Sequence, residues 1–150
     1  ASPLDLHVTS SRFRDPLLTP LLRRSFAAVS FHCMGRSGES VIWLGGLNAT
    51  LKGLVLENLR KQGFSVNPDS PLYRGESPNN IVNQVCHKGV QLELSEELIE
   101  ELFVGARFHS GNTKLQTTER FDALVYAVRL SLRQYRQQRG LPFGQQIVVE

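Results

Sequence analysis

The chain has 150 residues, of which 41% are hydrophobic and 21% charged, and its formal net charge is +3. This length and composition suit one domain with a buried core, which excludes a wholly disordered protein. No apolar run is long enough to span a membrane and no signal-peptide pattern is visible, so we expect a soluble domain whose compartment the sequence leaves open.

The hydrophobic pattern predicts strands that alternate with helices along the chain. Short apolar or alternating stretches predict strands at residues 4–10, 25–31, 40–46, 64–66 and 89–95. Capping residues and a helical repeat predict helices at residues 14–24, 48–63, 95–103 and 117–140. This alternation predicts an α/β fold, with an open, mostly parallel or mixed sheet that carries helices on both faces.

A histidine stands at the end of the second predicted strand. Sites in open α/β sheets form beyond the carboxyl ends of strands, which makes His32 a candidate site residue. A catalytic zinc ion takes three protein ligands, however, and no close pair of ligand residues accompanies any of the four histidines. Taken alone, His32 is more typical of a hydrogen-bonded histidine than of a metal ligand.

The predicted strand at residues 89–95 carries a carboxylate between apolar residues. Alternation places Gln91, Glu93 and Ser95 on one face and the apolar residues on the other. One interpretation is an edge strand whose outer face is solvated. The other is a general base, held on a rigid strand and aimed at a metal-bound water.

Five segments of residues 4–103 resemble one known family in their order. They are LHVTSSRFRDP, VSFHCMG, VIWLGGLN, GESPNNIVNQ and GVQLELSEEL. Together they resemble the poly-γ-glutamate hydrolase family, whose members are also described as phage-related replication proteins. That family is similar in fold to zinc carboxypeptidases, so the resemblance implies a zinc carboxypeptidase-like α/β sheet.

The resemblance also implies roles for individual residues. It implies that His32 is the distal zinc ligand and that Glu93 is the general base. It implies that Asn80 and Asn83 help to bind the substrate and that His7 is a polar neighbour of the site. In the Asn80–Asn83 segment the chain has Val82 and Gln84 where the family has cysteine and arginine, which weakens the prediction of substrate contacts there.

One motif of the family has no match in this chain. It is the upstream H-G-G-x-I-E-like segment, which supplies the first two zinc ligands in the family. We therefore expect residues 1–150 to form a single α/β domain that corresponds to the later part of the family's domain, with His32 as its one zinc ligand. The other ligands would come from an N-terminal partner segment.

Three functions remain open on this basis. The first is a zinc-dependent hydrolase that cleaves γ-glutamyl bonds of an acidic polymer such as poly-γ-glutamate and is incomplete as this chain alone. The second is a non-catalytic module that keeps the fold and binds a polyanion. The third is a nucleic-acid-binding protein, which the basic final helix with Arg129, Arg133 and Arg136 favours but which no recognised motif supports.

Overall fold

The computed structural model describes residues 9–70, 72–105, 116–140 and 148–149. The four helices are α1 (Leu18–Arg24), α2 (Ala49–Lys61), α3 (Glu96–Leu102) and α4 (Glu119–Gln138), and a 3-10 turn covers Ile81–Asn83. The strands are β1 (Ala28–Gly35), β2 (Ile42–Gly45), β3 (Val66–Asn67), β4 (Gly89–Ser95), β5 (Phe103–Val104), β6 (Gln116–Thr117) and β7 (Val148–Val149). Most of the strand predicted at residues 4–10 lies outside the described residues.

Five of the strands form one mixed sheet in the order β3-β2-β4-β1-β7. β4 lies at its centre, parallel to β1 on one side and antiparallel to β2 on the other. The outer pairs β2–β3 and β1–β7 are parallel, and β5 and β6 form a separate antiparallel pair. The predicted α/β class with a mixed sheet is therefore confirmed.

Side-chain caps confirm the predicted starts of α2 and α3. The Asn48 side chain accepts a hydrogen bond from the Leu51 amide at 3.0 Å, and the Ser95 hydroxyl accepts one from the Leu98 amide at 3.2 Å. Asp15 also accepts from the Leu17 and Leu18 amides, but α1 begins at Leu18 with Leu17 as its N-cap and no side-chain cap, so the predicted start of this helix at residue 14 is wrong. Each cap satisfies an amide that has no partner inside its own helix, which fixes where the helix begins.

The main hydrophobic core lies on one face of the sheet, under α2, α3 and α4. Its fully buried members include Ile42 and Leu92 from the strands and Leu51, Leu98 and Tyr135 from the helices. A smaller cluster lies on the opposite face, beneath α1 and the 3-10 turn, and it contains Leu22, Ala28, Ile81, Val82 and Val85. Helices thus cover both faces, as predicted, and the rest of the second face is left to polar side chains.

Two glycines at the end of β2 admit the loop of residues 72–77 onto the sheet. A Cβ atom on Gly45 would lie 2.5 Å from the carbonyl oxygen of Arg74. The Gly46 amide donates to that same oxygen at 2.8 Å, and Gly46 has a φ of +94°, which L-residues rarely adopt. Only glycines allow the loop to approach this closely.

The second predicted strand extends further along the chain than the sequence pattern indicated. β1 continues to Gly35, so His32 lies inside the strand and the prediction that it stands at the strand's end is wrong.

Cys33 and Cys86 are exposed free thiols. In the part of the chain that the structure describes, no helix has the length and apolar character needed to cross a bilayer.

Candidate active site

The pairing of the strands brings His32, Trp43 and Glu93 together on the polar face of the sheet. His32 of β1 pairs with Glu93 of β4, and Trp43 of β2 pairs with Glu93 from the other side. Paired residues of neighbouring strands project to the same face. The two residues that the sequence singled out are therefore direct neighbours, although they are far apart along the chain.

Glu93 lies on the central strand and is only 5% exposed. All seven residues of β4 are buried, on both of its faces. The structure therefore excludes the interpretation of this strand as an edge strand with a solvated outer face. A carboxylate in such a position needs hydrogen-bonding partners, because an unpaired buried charge is strongly destabilising.

A chain of side-chain amides supplies those partners and orients the carboxyl group. The Gln91 amide nitrogen donates to Oε1 of Glu93 at 2.6 Å, and the Asn80 amide nitrogen donates to the Gln91 oxygen at 2.8 Å. The Asn80 oxygen in turn accepts from the Val82 backbone amide at 3.1 Å. Each amide is thereby locked in one orientation, so Glu93 Oε1 receives a donor whose direction is fixed by the backbone of the 3-10 turn.

Burial changes the chemistry of this carboxyl group. Loss of solvation raises the pKa of Glu93 from its ordinary value of 4.5 to about 7, and the hydrogen bond from Gln91 lowers that pKa in part. Near neutral pH both the protonated and the ionised forms of Glu93 are then populated. A group of this kind can both accept and return a proton in one reaction cycle.

An open cleft of about 560 Å³ gives access to this pair. Its floor is formed by His32, Glu93, Gln91 and Asn80, and its walls by residues 9–11 and 72–77. This volume lies in the range of pockets that hold a drug-sized ligand. The arrangement places a buried acid–base group, an imidazole and a row of amides around one accessible space.

The other predicted site residues take different positions. Asn83 is fully buried, and its side chain donates to the carbonyl oxygens of Gly75 and Ser77 at 2.6 and 2.9 Å and accepts from the Leu47 amide. It holds the 72–77 loop in place and is not among the described residues that line the cleft. Gln84 donates to a backbone oxygen at the surface, and His7 lies outside the described residues.

Sequence reasoning assigned no role to Gln91 or Arg74, although both line the cleft. The alternation of β4 already places Gln91 on the face of Glu93, which was a usable signal. Arg74 stands in a loop without periodicity, so only the folded chain shows where it lies. The indole nitrogen of Trp43, beside Glu93, is buried and has no hydrogen-bond partner among the described residues.

The three arginines of the final helix are not among the described residues that line this cleft, although Arg129 lines an apolar cavity together with His32 and Cys33. Arg129, Arg133 and Arg136 belong to α4, which packs on the opposite face of the sheet. The binding of a nucleic acid through these arginines stays a prediction.

The part of the chain that the structure describes lacks a complete set of zinc ligands. A catalytic zinc ion needs three protein ligands. In the ranges 9–70, 72–105, 116–140 and 148–149, no three His, Cys, Asp or Glu side chains are grouped closely enough to share a metal ion. His32 and Glu93 form a pair only, so these residues do not make a complete zinc site.

The raised pKa of Glu93 predicts how stability depends on pH in the metal-free chain. The native state holds more protons than the unfolded state between pH 4.5 and about 7, so the stabilisation is full below pH 4.5 and is lost as the pH rises through 7. Between pH 5 and 8, we expect the free energy of unfolding to fall by roughly 1–2 kcal/mol more in the wild type than in Glu93→Gln. This is less than the full difference in pKa would give, because solvent in the cleft screens the charge. Urea unfolding at several pH values measures this, and parallel profiles for the two proteins would contradict it.

Comparisons with known proteins agree with this architecture. The family model for poly-γ-glutamate hydrolase matches residues 2–127. The UPF0714 protein YmaC of Bacillus subtilis strain 168 is 31% identical over 128 residues, which are 83% of this chain and 53% of that protein. The chain therefore spans about half the length of this curated relative.

Two solved structures have the same fold. A bacteriophage poly-γ-glutamate hydrolase superimposes with a TM-score of 0.84 at 28% identity, over 92% of this chain and 67% of that chain. YNDL in its zinc-free apo form superimposes with a TM-score of 0.77 at 26% identity, over 90% of this chain and 67% of that chain.

Proposed function

The chain belongs to the poly-γ-glutamate hydrolase family, and on that premise we propose that it carries the acid–base half of a hydrolase that cleaves γ-glutamyl amide bonds. The observation that supports this most directly is Glu93, which is buried on the central strand, has a pKa of about 7 and borders an open cleft. Its substrate would be an acidic polymer such as poly-γ-glutamate, since a hydrolase of that polymer is among the similar structures.

Amide hydrolysis requires two proton transfers, and one carboxyl group can make both. In its ionised form Glu93 takes a proton from a water molecule in the cleft while the water oxygen bonds to the scissile carbonyl carbon. The protonated Glu93 then gives that proton to the amide nitrogen as the carbon–nitrogen bond breaks. The products are a carboxylic acid and a free amine, and Glu93 returns to its ionised form.

The hydrogen-bonded side chains of Gln91 and Asn80 hold the Glu93 carboxyl group in one orientation for these transfers. Gln91 occupies Oε1 of Glu93 with a hydrogen bond of 2.6 Å, so within the described part of the chain the other carboxyl oxygen is the one left to exchange protons. Asn80 fixes Gln91 from behind. We therefore assign Gln91 and Asn80 as positioning residues, and Asn83 as the residue that holds the wall of the cleft.

We propose that His32 is one ligand of a zinc ion, as the resemblance to zinc hydrolases implies. In such enzymes the ion polarises the substrate carbonyl and lowers the pKa of bound water. Since the described residues do not complete a zinc site, the remaining ligands have to come from residues outside the described ranges or from a separate segment. The proton transfers assigned to Glu93 do not depend on where those ligands lie.

This leads to a prediction for metal binding by the 150-residue chain. We expect it to bind Zn²⁺ with a Kd no tighter than about 1 µM, because a His32–Glu93 pair supplies fewer ligands than a stable site requires. Competition with a chromogenic chelator measures the affinity, and His32→Ala should remove what binding there is. Stoichiometric zinc of nanomolar affinity would contradict the expectation and would direct the search to undescribed residues such as His7.

A further inference from the structure

The loop of residues 72–77 presents a cation to the cleft. Arg74 is exposed and lines the cleft together with His32 and Glu93, and it also borders a second pocket beside Lys52 and Asp69. Among the described residues, the Arg74 guanidinium forms no ion pair with a carboxylate and donates no hydrogen bond. Within the described part of the lining, Arg74 is also the one group with a permanent positive charge, whereas Glu76 and Glu93 are acidic.

The backbone that carries Arg74 is held at several points. The Arg74 carbonyl oxygen accepts from the Gly46 amide at 2.8 Å. The carbonyl oxygens of Gly75 and Ser77 accept from the buried Asn83 side chain at 2.6 and 2.9 Å. The Cα of Arg74 therefore has a fixed position relative to the sheet, which reduces the entropy lost when its side chain engages a ligand.

We propose that Arg74 is the residue that selects an anionic substrate, by binding a free carboxylate next to the bond to be cleaved; this inference rests on the proposed function. In a chain of γ-linked glutamates, each unit carries an α-carboxylate close to its backbone amide. A guanidinium binds a carboxylate through two parallel hydrogen bonds, which gives both affinity and orientation. Without Arg74, the acidic side chains of the cleft would repel such a polymer.

The location of Arg74 sets it apart from the chain's other exposed arginines. Neither the arginines of α4 nor Arg24, at the end of α1, are among the described residues that line the cleft. If basic charge in general attracts the polymer, replacing Arg24 should weaken binding as much as replacing Arg74. If Arg74 makes a specific carboxylate contact, only its own replacement should weaken binding.

The test compares binding of two probes by the intact 150-residue chain. One probe is a γ-linked pentaglutamate, and the other is the same oligomer with every carboxylate converted to a carboxamide. Isothermal titration calorimetry measures the dissociation constants, since Trp43, the only tryptophan, is not among the described residues that line the cleft. The variants are Arg74→Gln, Arg74→Lys and, as the matched control, Arg24→Gln.

We expect Arg74→Gln to weaken binding of the pentaglutamate by about 10-fold and to leave binding of the carboxamide oligomer unchanged. Arg74→Lys should fall between, because it keeps the charge but loses the paired hydrogen bonds, and Arg24→Gln should bind like the wild type. Equal losses for Arg74→Gln and Arg24→Gln, equal losses for both probes, or no binding of pentaglutamate by the wild type would overturn the inference. Thermal melts check that all variants are folded.

Binding and hydrolysis are read separately, so the two proposals can fail separately. If pentaglutamate binds through Arg74 but an assembly with the zinc ligands supplied does not cleave it, the proposed hydrolase function is wrong and the role of Arg74 stands. If the polymer is cleaved but Arg74→Gln changes neither the KM nor the Kd, the hydrolase function stands and the inference on Arg74 is wrong.

Discussion

Glu93→Gln is expected to lower turnover of poly-γ-glutamate by roughly 10²-fold or more in an assembly that hydrolyses the polymer. The substitution keeps the shape of the side chain and its capacity to accept the hydrogen bond from Gln91, but the amide can neither take a proton from water nor return one to the leaving nitrogen. The fold and any bound metal should be retained. Steady-state kinetics with metal analysis of the same sample measure both.

The matched control is Glu76→Gln, which removes another carboxylate from the lining of the same cleft. Glu76 is exposed on the loop, so its loss should change turnover only a few-fold, through the local charge. Unchanged turnover in Glu93→Gln, or an equal loss in both variants, would end the assignment of Glu93 as the acid–base group.

The candidate site could be predicted from the sequence only in part. The period-two alternation of residues 89–95 and the resemblance to the family together pointed to Glu93, and the resemblance pointed to His32. Their pairing across β1 and β4 depends on which strands become neighbours, and local pattern carries no such information. The resemblance likewise implied that Asn83 contacts the substrate. Its motif carries no information about the loop of residues 72–77, whose carbonyl oxygens the Asn83 side chain binds.

Gly46→Ala is expected to destabilise the chain by about 3 kcal/mol or more. Its φ of +94° disfavours any L-residue, and a Cβ atom there would overlap the carbonyl oxygen of Gly89 and approach Val90 Cα to 2.9 Å. These neighbours are backbone atoms of the central strand, so they have little freedom to move aside. Urea unfolding monitored by circular dichroism measures the loss.

Gly53→Ala provides the contrasting variant. Gly53 lies on the exposed face of α2, and no atom lies within 4 Å of a Cβ placed there. Alanine is the better helix former, so this variant should be about 0.5–1 kcal/mol more stable than the wild type. If Gly46→Ala unfolds at the urea concentration of the wild type, the argument from crowding at the β2 turn is wrong.

The fold was predictable where local chemistry determines it. Asn48 and Ser95 mark the starts of α2 and α3 through caps that involve only a few neighbouring residues. The antiparallel direction of β2, the pairing of β7 with β1 and the 3-10 turn at Ile81–Asn83 are set by contacts between distant segments. A hydrophobic pattern shows that a strand is buried but not which strands it pairs with.

The pairing of β1 with β4 also has a consequence for how the protein folds. Residues that face each other across these two strands are separated by roughly sixty positions in sequence. Closing so long a loop costs chain entropy before the contacts repay it, so proteins rich in such pairings fold slowly. His32 and Glu93 meet only when β1 and β4 have paired, so the candidate site forms in this step. The amide protons of β4 should accordingly exchange with solvent only when the whole sheet opens.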